Sequence, residues 1–168
     1  MEFHDVLSER RSVRSYKSDP VPKKALDKIA EALALAPSAC NLQPWSFRVV
    51  INPETRKKIC ACYGGEWLAK APAIIVALAN MDTCWKRPEG TPIADIDVGI
   101  AMEHVVLAAT AEKLATCWIC AYEIEKMNRA IGVMRPWTTL AISPLGYADE
   151  TPKPRPGKDL NEIFKIVP

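Results

Sequence analysis

The segment ERRSVRSY, residues 9–16, contains the densest group of side chains that could bind an anion. We call it the arginine segment. In an extended chain alternate side chains share a face, so Arg10, Ser12 and Arg14 are predicted to point the same way. Two guanidinium groups on either side of a hydroxyl suit a phosphate dianion, because arginine binds phosphate through paired, charge-assisted hydrogen bonds. A solvated basic turn is the alternative that this segment alone leaves open.

The segment APSACNLQPW, residues 36–45, has many polar side chains for a connection between a helix and a strand. We call it the proline loop. Ser38, Asn41 and Gln43 offer hydrogen-bond donors and acceptors, and Pro37 and Pro44 restrict the backbone around them. These polar groups either satisfy the backbone of the loop itself or face a ligand.

The six cysteines and two histidines form no convincing metal or nucleophile motif. The close pairs Cys60/Cys62 and Cys117/Cys120 do not match as the two halves of a zinc site, and neither histidine lies near them. Most of these thiols are therefore expected to be spectators. No phosphate-binding glycine motif is present either. An enzyme with this sequence is expected to rely on a cofactor, and no catalytic side chain is predicted.

The composition is that of an ordinary globular domain. The chain has 168 residues, 49% hydrophobic and 25% charged, with a net charge of +2. This length predicts one domain over residues 1–168, and the charge is too small to argue for nucleic acid or a membrane surface as a partner. The first residues do not resemble a secretory signal, and the longest apolar run is too short to span a bilayer. A cytoplasmic location is expected.

Hydrophobic periodicity and turn residues predict the elements that must position these groups. The order of helices and strands lacks regular βαβ alternation, which favours an α+β fold. A polar connection, residues 80–94, is either a substrate lid or a solvated loop, and a proline-rich arm, residues 151–168, ends the chain. The longest helix is expected to begin at Asp95 or Asp97 and to end near Leu114. Other helices are expected at 3–9, 22–35, 53–62 and 123–131, strands at 46–51, 73–79 and 138–143, and a short extended segment at 116–122.

The order of these motifs resembles the FMN-dependent nitroreductase family, in a short, single-domain version. The motifs are RRSVRSY, PSACNLQPW, WLAKAPAIIVALA, DVGIAMEHVVLAATAEKLATCWI, SPLGY and a basic, proline-rich tail, and they cover essentially the whole chain. The resemblance implies a central, mainly antiparallel or mixed sheet between helices (α/β/α), in a homodimer that exchanges its C-terminal arms. It also implies an oxidoreductase that uses FMN and NAD(P)H to reduce nitroaromatics, quinones or related acceptors.

The resemblance further implies which residues bind FMN. The phosphate falls to Arg10, Ser12 and Arg14, with Arg11 adjacent. The proline loop comes from the other subunit, a backbone N–H after the long helix lies near the flavin N5, and a basic tail residue closes on the phosphate. The remaining positions are Pro37, Ser38, Ala39, Asn41 and Gln43 in the loop, Trp118, Ile119 and Cys120 at the flavin edge, and Lys158, with Arg155 second, in the tail.

The sequence departs from the family pattern in three places and leaves other functions open. Lys113-Leu114-Ala115 stands where the family often has Gly-Leu-Gly, so either the turn is tight or the long helix runs one turn further. Gly157 removes one expected charge from the tail. Cys40 and Cys120 would lie close to the flavin, which is unusual and leaves a role for a thiol open. A flavin-sequestering protein with incidental reductase activity and a cysteine-based thiol or metal protein are the alternative functions.

Overall fold

A computed structural model describes residues 1–153 and 156–167 of the chain. Each helix and strand expected from the sequence is present, α1 at its predicted bounds and the others with ends within three residues of the predicted ones. The elements are α1 (Phe3–Glu9), α2 (Lys23–Ala34), β1 (Trp45–Val50), α3 (Pro53–Tyr63), β2 (Ala73–Asn80), α4 (Ala94–Ala111), β3 (Ala115–Thr116), α5 (Ile124–Ile131), β4 (Trp137–Gly146) and α6 (Leu160–Ile163).

The four strands form one antiparallel sheet in the order β1-β2-β4-β3. β2 lies inside the sheet and is buried along nearly its whole length, as its continuous apolar sequence predicts. Its side chains alternate between two cores, with Ile74 and Val76 on one face and Ile75 and Ala77 on the other. The predicted α+β class with a mainly antiparallel sheet is confirmed.

Helices cover both faces of this sheet. α2 and α4 pack on the face of Ile75, through residues such as Ile29 and Met102. α3 and α5 pack on the opposite face through Ile59 and Met127. The resulting three layers are the α/β/α arrangement that the family resemblance implies.

The arginine segment lies along one edge of the sheet, where main-chain hydrogen bonds hold it extended. Val13 donates its N–H to the carbonyl of Thr116 (3.0 Å), and Lys17 donates to the carbonyl of Tyr147 (2.9 Å). Val13 and Tyr16 are buried, whereas Ser12 and Arg14 face outwards. The sheet edge therefore turns the polar side chains of this segment towards solvent.

The turn after α4 decides between the two interpretations of Lys113-Leu114-Ala115. α4 ends at Ala111, three residues before the predicted end at Leu114, and Lys113 takes a left-handed conformation with φ of 62°. Glycine adopts this conformation without steric cost, which explains why a glycine suits the position. The tight turn is therefore correct and the longer helix is wrong.

The C-terminal arm projects apolar side chains into solvent in the single chain. Leu160 is 75% exposed and Phe164 is 73% exposed, on and beside the short helix α6. Arg155 lies outside the described residues. Exchange of the arm involves a second chain and stays a prediction. None of the helices in the described part of the chain has the length and apolar composition needed to cross a membrane.

Candidate functional site

A basic cavity of about 560 Å³ opens beside the arginine segment. We call it the anion cavity. It forms where the arginine segment meets the chain that leaves β4, because both follow the same edge of the sheet. Its lining residues are Arg10, Arg11, Ser12, Arg14, Glu150, Thr151, Pro152 and Lys153.

The arginines of this cavity differ in how far they are already engaged. The Arg11 guanidinium donates to the carbonyls of Ser8 (2.5 Å) and Arg10 (2.8 Å), so it caps the end of α1. Arg10 has a loose ion pair with Glu103, 3.9 Å between Nε and Oε1. Arg14 lines the cavity with an exposed side chain. Arg10 and Arg14 are therefore the more available anion ligands.

Glu150 places a carboxylate among these cations. Its Oε1 accepts from the backbone N–H of Arg14 at 2.5 Å. Among the described residues that line the cavity, Glu150 carries the one negative charge, whereas four side chains carry a positive charge. The thiol of Cys117 is buried and responds to these charges. Burial raises its pKa, whereas the charge of Arg14 and a hydrogen bond with Ser12 lower it. The cavity thus keeps a net positive charge suited to an anion.

A second, smaller cavity of about 360 Å³ lies between the N-terminal end of α4 and the segment that follows β3. We call it the edge cavity. Most of its lining is apolar, which suits a flat aromatic ring more than an ion. Its lining residues are Asp95, Val98, Gly99, Trp118, Cys120, Tyr122, Ile124, Leu140 and Ala141.

The sheet fixes the segment that borders this cavity. Ile119 exchanges two main-chain hydrogen bonds with Ile142, both 3.0 Å long, and its side chain is buried in the core. The side chains of Trp118 and Cys120 consequently point to the outer face. Within the described residues, nothing accepts a hydrogen bond from the N–H of Cys120. Cys120 is four residues beyond Thr116, the β3 partner of Ser12, so roughly 13 Å of extended chain connects the two cavities.

Burial keeps the Cys120 thiol and the Tyr122 phenol of the edge cavity in their neutral forms. It raises the pKa of the Cys120 thiol, and the nearby Asp95 carboxylate raises it further. Burial also raises the pKa of the Tyr122 phenol far above its ordinary value, with a smaller contribution from Cys120. Both groups are therefore protonated at neutral pH, so neither is an anionic nucleophile there.

Two side chains hydrogen-bond to the backbone of the proline loop, one from within the loop and one from α4. The Ser38 hydroxyl accepts from the N–H of Gln43 at 2.8 Å, and Asp97 on α4 accepts from the N–H of Ala39 at 3.1 Å. The side chains of Asn41 and Gln43 are exposed. Residues of the loop line neither the anion cavity nor the edge cavity of the same chain.

The structure therefore brings together only part of the predicted site. Arg10, Arg11, Ser12 and Arg14 share the anion cavity, while Trp118 and Cys120 share the edge cavity and Ile119 lies in the core. Lys158 is exposed and lies outside the cavity lining, and Arg155 is outside the described residues.

Sequence reasoning missed Glu150 and Lys153, which the structure adds to the anion cavity. They lie four and seven residues beyond Gly146, the last residue of β4, and they reach the cavity because the chain after β4 pairs with the arginine segment at Tyr16 and Ala148. No local sequence pattern predicts this pairing.

The cysteine-based alternative receives no support from the geometry. All six cysteines are free thiols, and Cys60, Cys62 and Cys117 belong to or pack against the same apolar cluster. Across residues 1–153 and 156–167, no group of three or more His, Cys, Asp or Glu side chains could hold a metal ion.

Comparison with known proteins identifies the family. A family model described as the nitroreductase family matches residues 7–64 and 60–147. The chain belongs to the nitroreductase family. A relative from Methanothermobacter thermautotrophicus, named as an NADH dehydrogenase/NAD(P)H nitroreductase, is 31% identical over 162 residues, covering 92% of this chain and 82% of its own.

Solved nitroreductase structures share the fold over nearly the whole chain. A nitroreductase family protein from Clostridium novyi NT is 33% identical with a TM-score of 0.85, covering 96% of this chain and 91% of its own. An FMN-dependent nitroreductase from Clostridium difficile R20291 is 29% identical with a TM-score of 0.83, covering 95% of this chain and 96% of its own. The resemblance drawn from the sequence motifs is confirmed.

Proposed function

We propose that this nitroreductase-family protein is an FMN-dependent oxidoreductase that uses NAD(P)H to reduce nitroaromatics, quinones or related acceptors. The anion cavity, where Arg10, Ser12 and Arg14 meet, is the observation that carries the proposal. The names of the Clostridium difficile and Methanothermobacter proteins support FMN and NAD(P)H respectively. When bound, FMN would accept a hydride from NAD(P)H and pass electrons to the acceptor in a second half-reaction at the same site.

The residues present fit the two ends of FMN. The phosphate suits the anion cavity, because guanidinium groups and a hydroxyl are the donors that a phosphate dianion prefers. The flat ring suits the apolar edge cavity, where the N–H of Cys120 has no described acceptor. A single ligand that is anionic at one end and aromatic at the other would satisfy both cavities.

Each part of the site has a task that follows from its chemistry. Arg10 and Arg14 hold the phosphate and so fix the position of the rest of the cofactor. Lys153 adds positive charge to the anion cavity, and a phosphate contact from Lys158 or Arg155 in the tail stays a prediction. Trp118 and Val98 offer apolar surface that excludes water from the ring. Cys120 is protonated at neutral pH, because burial raises the pKa of its thiol, so it is not an anionic nucleophile beside the ring.

We further propose that the protein is a homodimer in which the proline loop of one subunit completes the site of the other. The loop is exposed and lies apart from the anion cavity of its own chain. The arm, residues 151–168 of the single domain, offers apolar side chains that a partner would cover. They are Leu160, Ile163, Phe164, Ile166 and Val167, each at least 62% exposed.

The preference for FMN over riboflavin tests the proposed function. Riboflavin lacks the phosphate, so the anion cavity contributes nothing to its binding. The apoprotein should bind FMN at least tenfold more tightly than riboflavin, the scale of one hydrogen bond between charged groups. Equal affinities for the two flavins would remove the phosphate assignment, and failure to bind either flavin would remove the proposed function.

Mixing two variants with weakened FMN binding, at an FMN concentration that loads neither variant alone, tests the shared site. One variant lacks the phosphate ligand, Arg14→Ala, and the other has Asn41→Ala in the loop. A mixed dimer has one site with both defects and one site with neither, so partial recovery of activity is expected after subunit exchange. No recovery despite proven exchange would place the loop and the cavity in one chain.

The free state of all six cysteines fits a reducing compartment, which supports a cytoplasmic location.

A further inference from the structure

We infer that Asp97 is a positioning residue that holds the proline loop in its binding conformation through the N–H of Ala39. The inference rests on the proposed function, in which this loop contacts the flavin of the partner subunit. Asp97 itself lies in the first turns of α4 and is 2% exposed.

The proline loop has a backbone that needs external support. Cys40, Asn41 and Gln43 have φ angles of 51°, 53° and 48°. Side chains other than glycine are disfavoured in this left-handed region, because Cβ approaches the following carbonyl oxygen. Three such residues within four positions form a strained segment, and strain of this kind persists only where surrounding contacts hold it.

Besides the main-chain hydrogen bonds of the loop, two contacts to side chains counter this strain. Inside the loop, the Ser38 hydroxyl accepts from the N–H of Gln43 at 2.8 Å. From outside the loop, the Asp97 carboxylate accepts from the N–H of Ala39 at 3.1 Å, at the start of the strained segment. Ser38 moves with the loop, whereas Asp97 is fixed by α4. Asp97 is thus the side chain that ties the strained segment to the body of the protein.

The burial of Asp97 argues that the contact has a use. Its second oxygen, Oδ2, is buried and has no hydrogen-bond partner among the described residues. A buried carboxylate oxygen without a partner is unfavourable, and the positive end of the helix dipole offsets only part of that cost. An apolar side chain would pack there more easily. The carboxylate is explained by its bond to the loop.

The position of Asp97 also links two parts of the proposed site. Its neighbours Asp95, Val98 and Gly99 on α4 line the edge cavity. The first turns of α4 therefore line the proposed flavin site of their own chain. They also fix the conformation of the loop that contacts the flavin of the partner subunit.

Variants at Asp97 separate an anchoring role from simple packing. Asp97→Asn keeps an oxygen acceptor for Ala39, so its dissociation constant for FMN should stay within about threefold of the wild-type value. Asp97→Ala removes the acceptor and should weaken FMN binding roughly tenfold or more, the effect of losing one hydrogen bond to a charged group. Cys40→Gly relieves part of the left-handed strain, so adding it to Asp97→Ala should recover at least about threefold. Equal FMN affinity in Asp97→Ala and wild type, or no recovery from Cys40→Gly, would overturn the inference.

Two further measurements keep the test decisive. If Asp97→Ala does not fold, amide exchange at Ala39 in Asp97→Asn should remain slow alongside normal FMN binding. Fast exchange with unchanged affinity, or slow exchange with lost affinity, would contradict the anchoring role. Wild-type protein that binds no FMN would refute the proposed function instead, so the two failures are distinguishable.

Discussion

Arg14→Ala is the most informative single change at the anion cavity. The backbone N–H of Arg14 is held by Glu150, and neighbouring Val13 is fixed to β3, so removal of the side chain should leave the segment in place. A hydrogen bond to a charged group contributes about 1.5–3 kcal/mol. The Arg14 side chain is exposed, which favours the lower half of that range. The expected loss is therefore about 1.5–2 kcal/mol, roughly 10–30-fold in the dissociation constant for FMN.

Quenching of flavin fluorescence on titration with apoprotein, at fixed ionic strength, measures this loss. Arg11→Ala is the matched comparison, because the Arg11 guanidinium is already bonded to the carbonyls of Ser8 and Arg10. It should weaken FMN binding less than about threefold, the scale of a screened surface charge. Lys58→Ala, an exposed charge on α3, is the control and should change nothing.

Riboflavin makes the result specific to the phosphate. Arg14→Ala should leave riboflavin binding unchanged, since only the phosphate contact is removed. Wild-type FMN affinity in Arg14→Ala would refute the reasoning, as would an equal loss for riboflavin. An Arg11→Ala loss as large as that of Arg14→Ala would show that the α1 cap does not restrain the Arg11 guanidinium.

Three other outcomes are expected. Removing residues 151–168 should turn a dimer into monomers or unfolded chain in analytical ultracentrifugation; an intact FMN-loaded dimer would contradict the arm exchange. Alkylation of Cys120 should be slow at pH 7 and should accelerate as the pH rises towards the raised pKa of its thiol. Bound FMN should slow this alkylation further without protecting Cys60. Equal rates with and without FMN would show that the ring does not bind in the edge cavity. Glu150→Gln removes a negative charge from the anion cavity, so FMN should bind roughly three- to fivefold more tightly, as expected for like charges a few ångströms apart in water; weaker binding would instead make Glu150 a support for Arg14.

Local sequence patterns predicted the fold well. β2 is apolar from Ala73 to Ala79, which identified a buried central strand. The Asn52–Pro53 start of α3 is also present, with the Asn52 side chain accepting from the N–H of Thr55. These signals are local, because periodicity, capping and turn residues act within a few positions of the chain. The end of α4 was misplaced, since the apolar pattern continues past Ala111 while Lys113 turns the backbone.

The candidate site was less predictable because it depends on contacts distant in sequence. The alternation of Arg10, Ser12 and Arg14 could be read directly, but the arrival of Glu150 and Lys153 at the same cavity depends on how β4 ends. Asp97 resembled an ordinary helix-start residue. Its bond to Ala39 joins positions 58 residues apart, which no short-range pattern reveals.

Anaerobic titration of the purified protein with NADH and NADPH tests the central claim most directly. We expect a yellow protein that releases FMN on denaturation, loses its visible flavin absorbance with at least one nicotinamide, and regains it when a nitroaromatic or quinone is added. A protein that binds FMN but keeps its absorbance with both nicotinamides would contradict the oxidoreductase assignment and favour flavin sequestration.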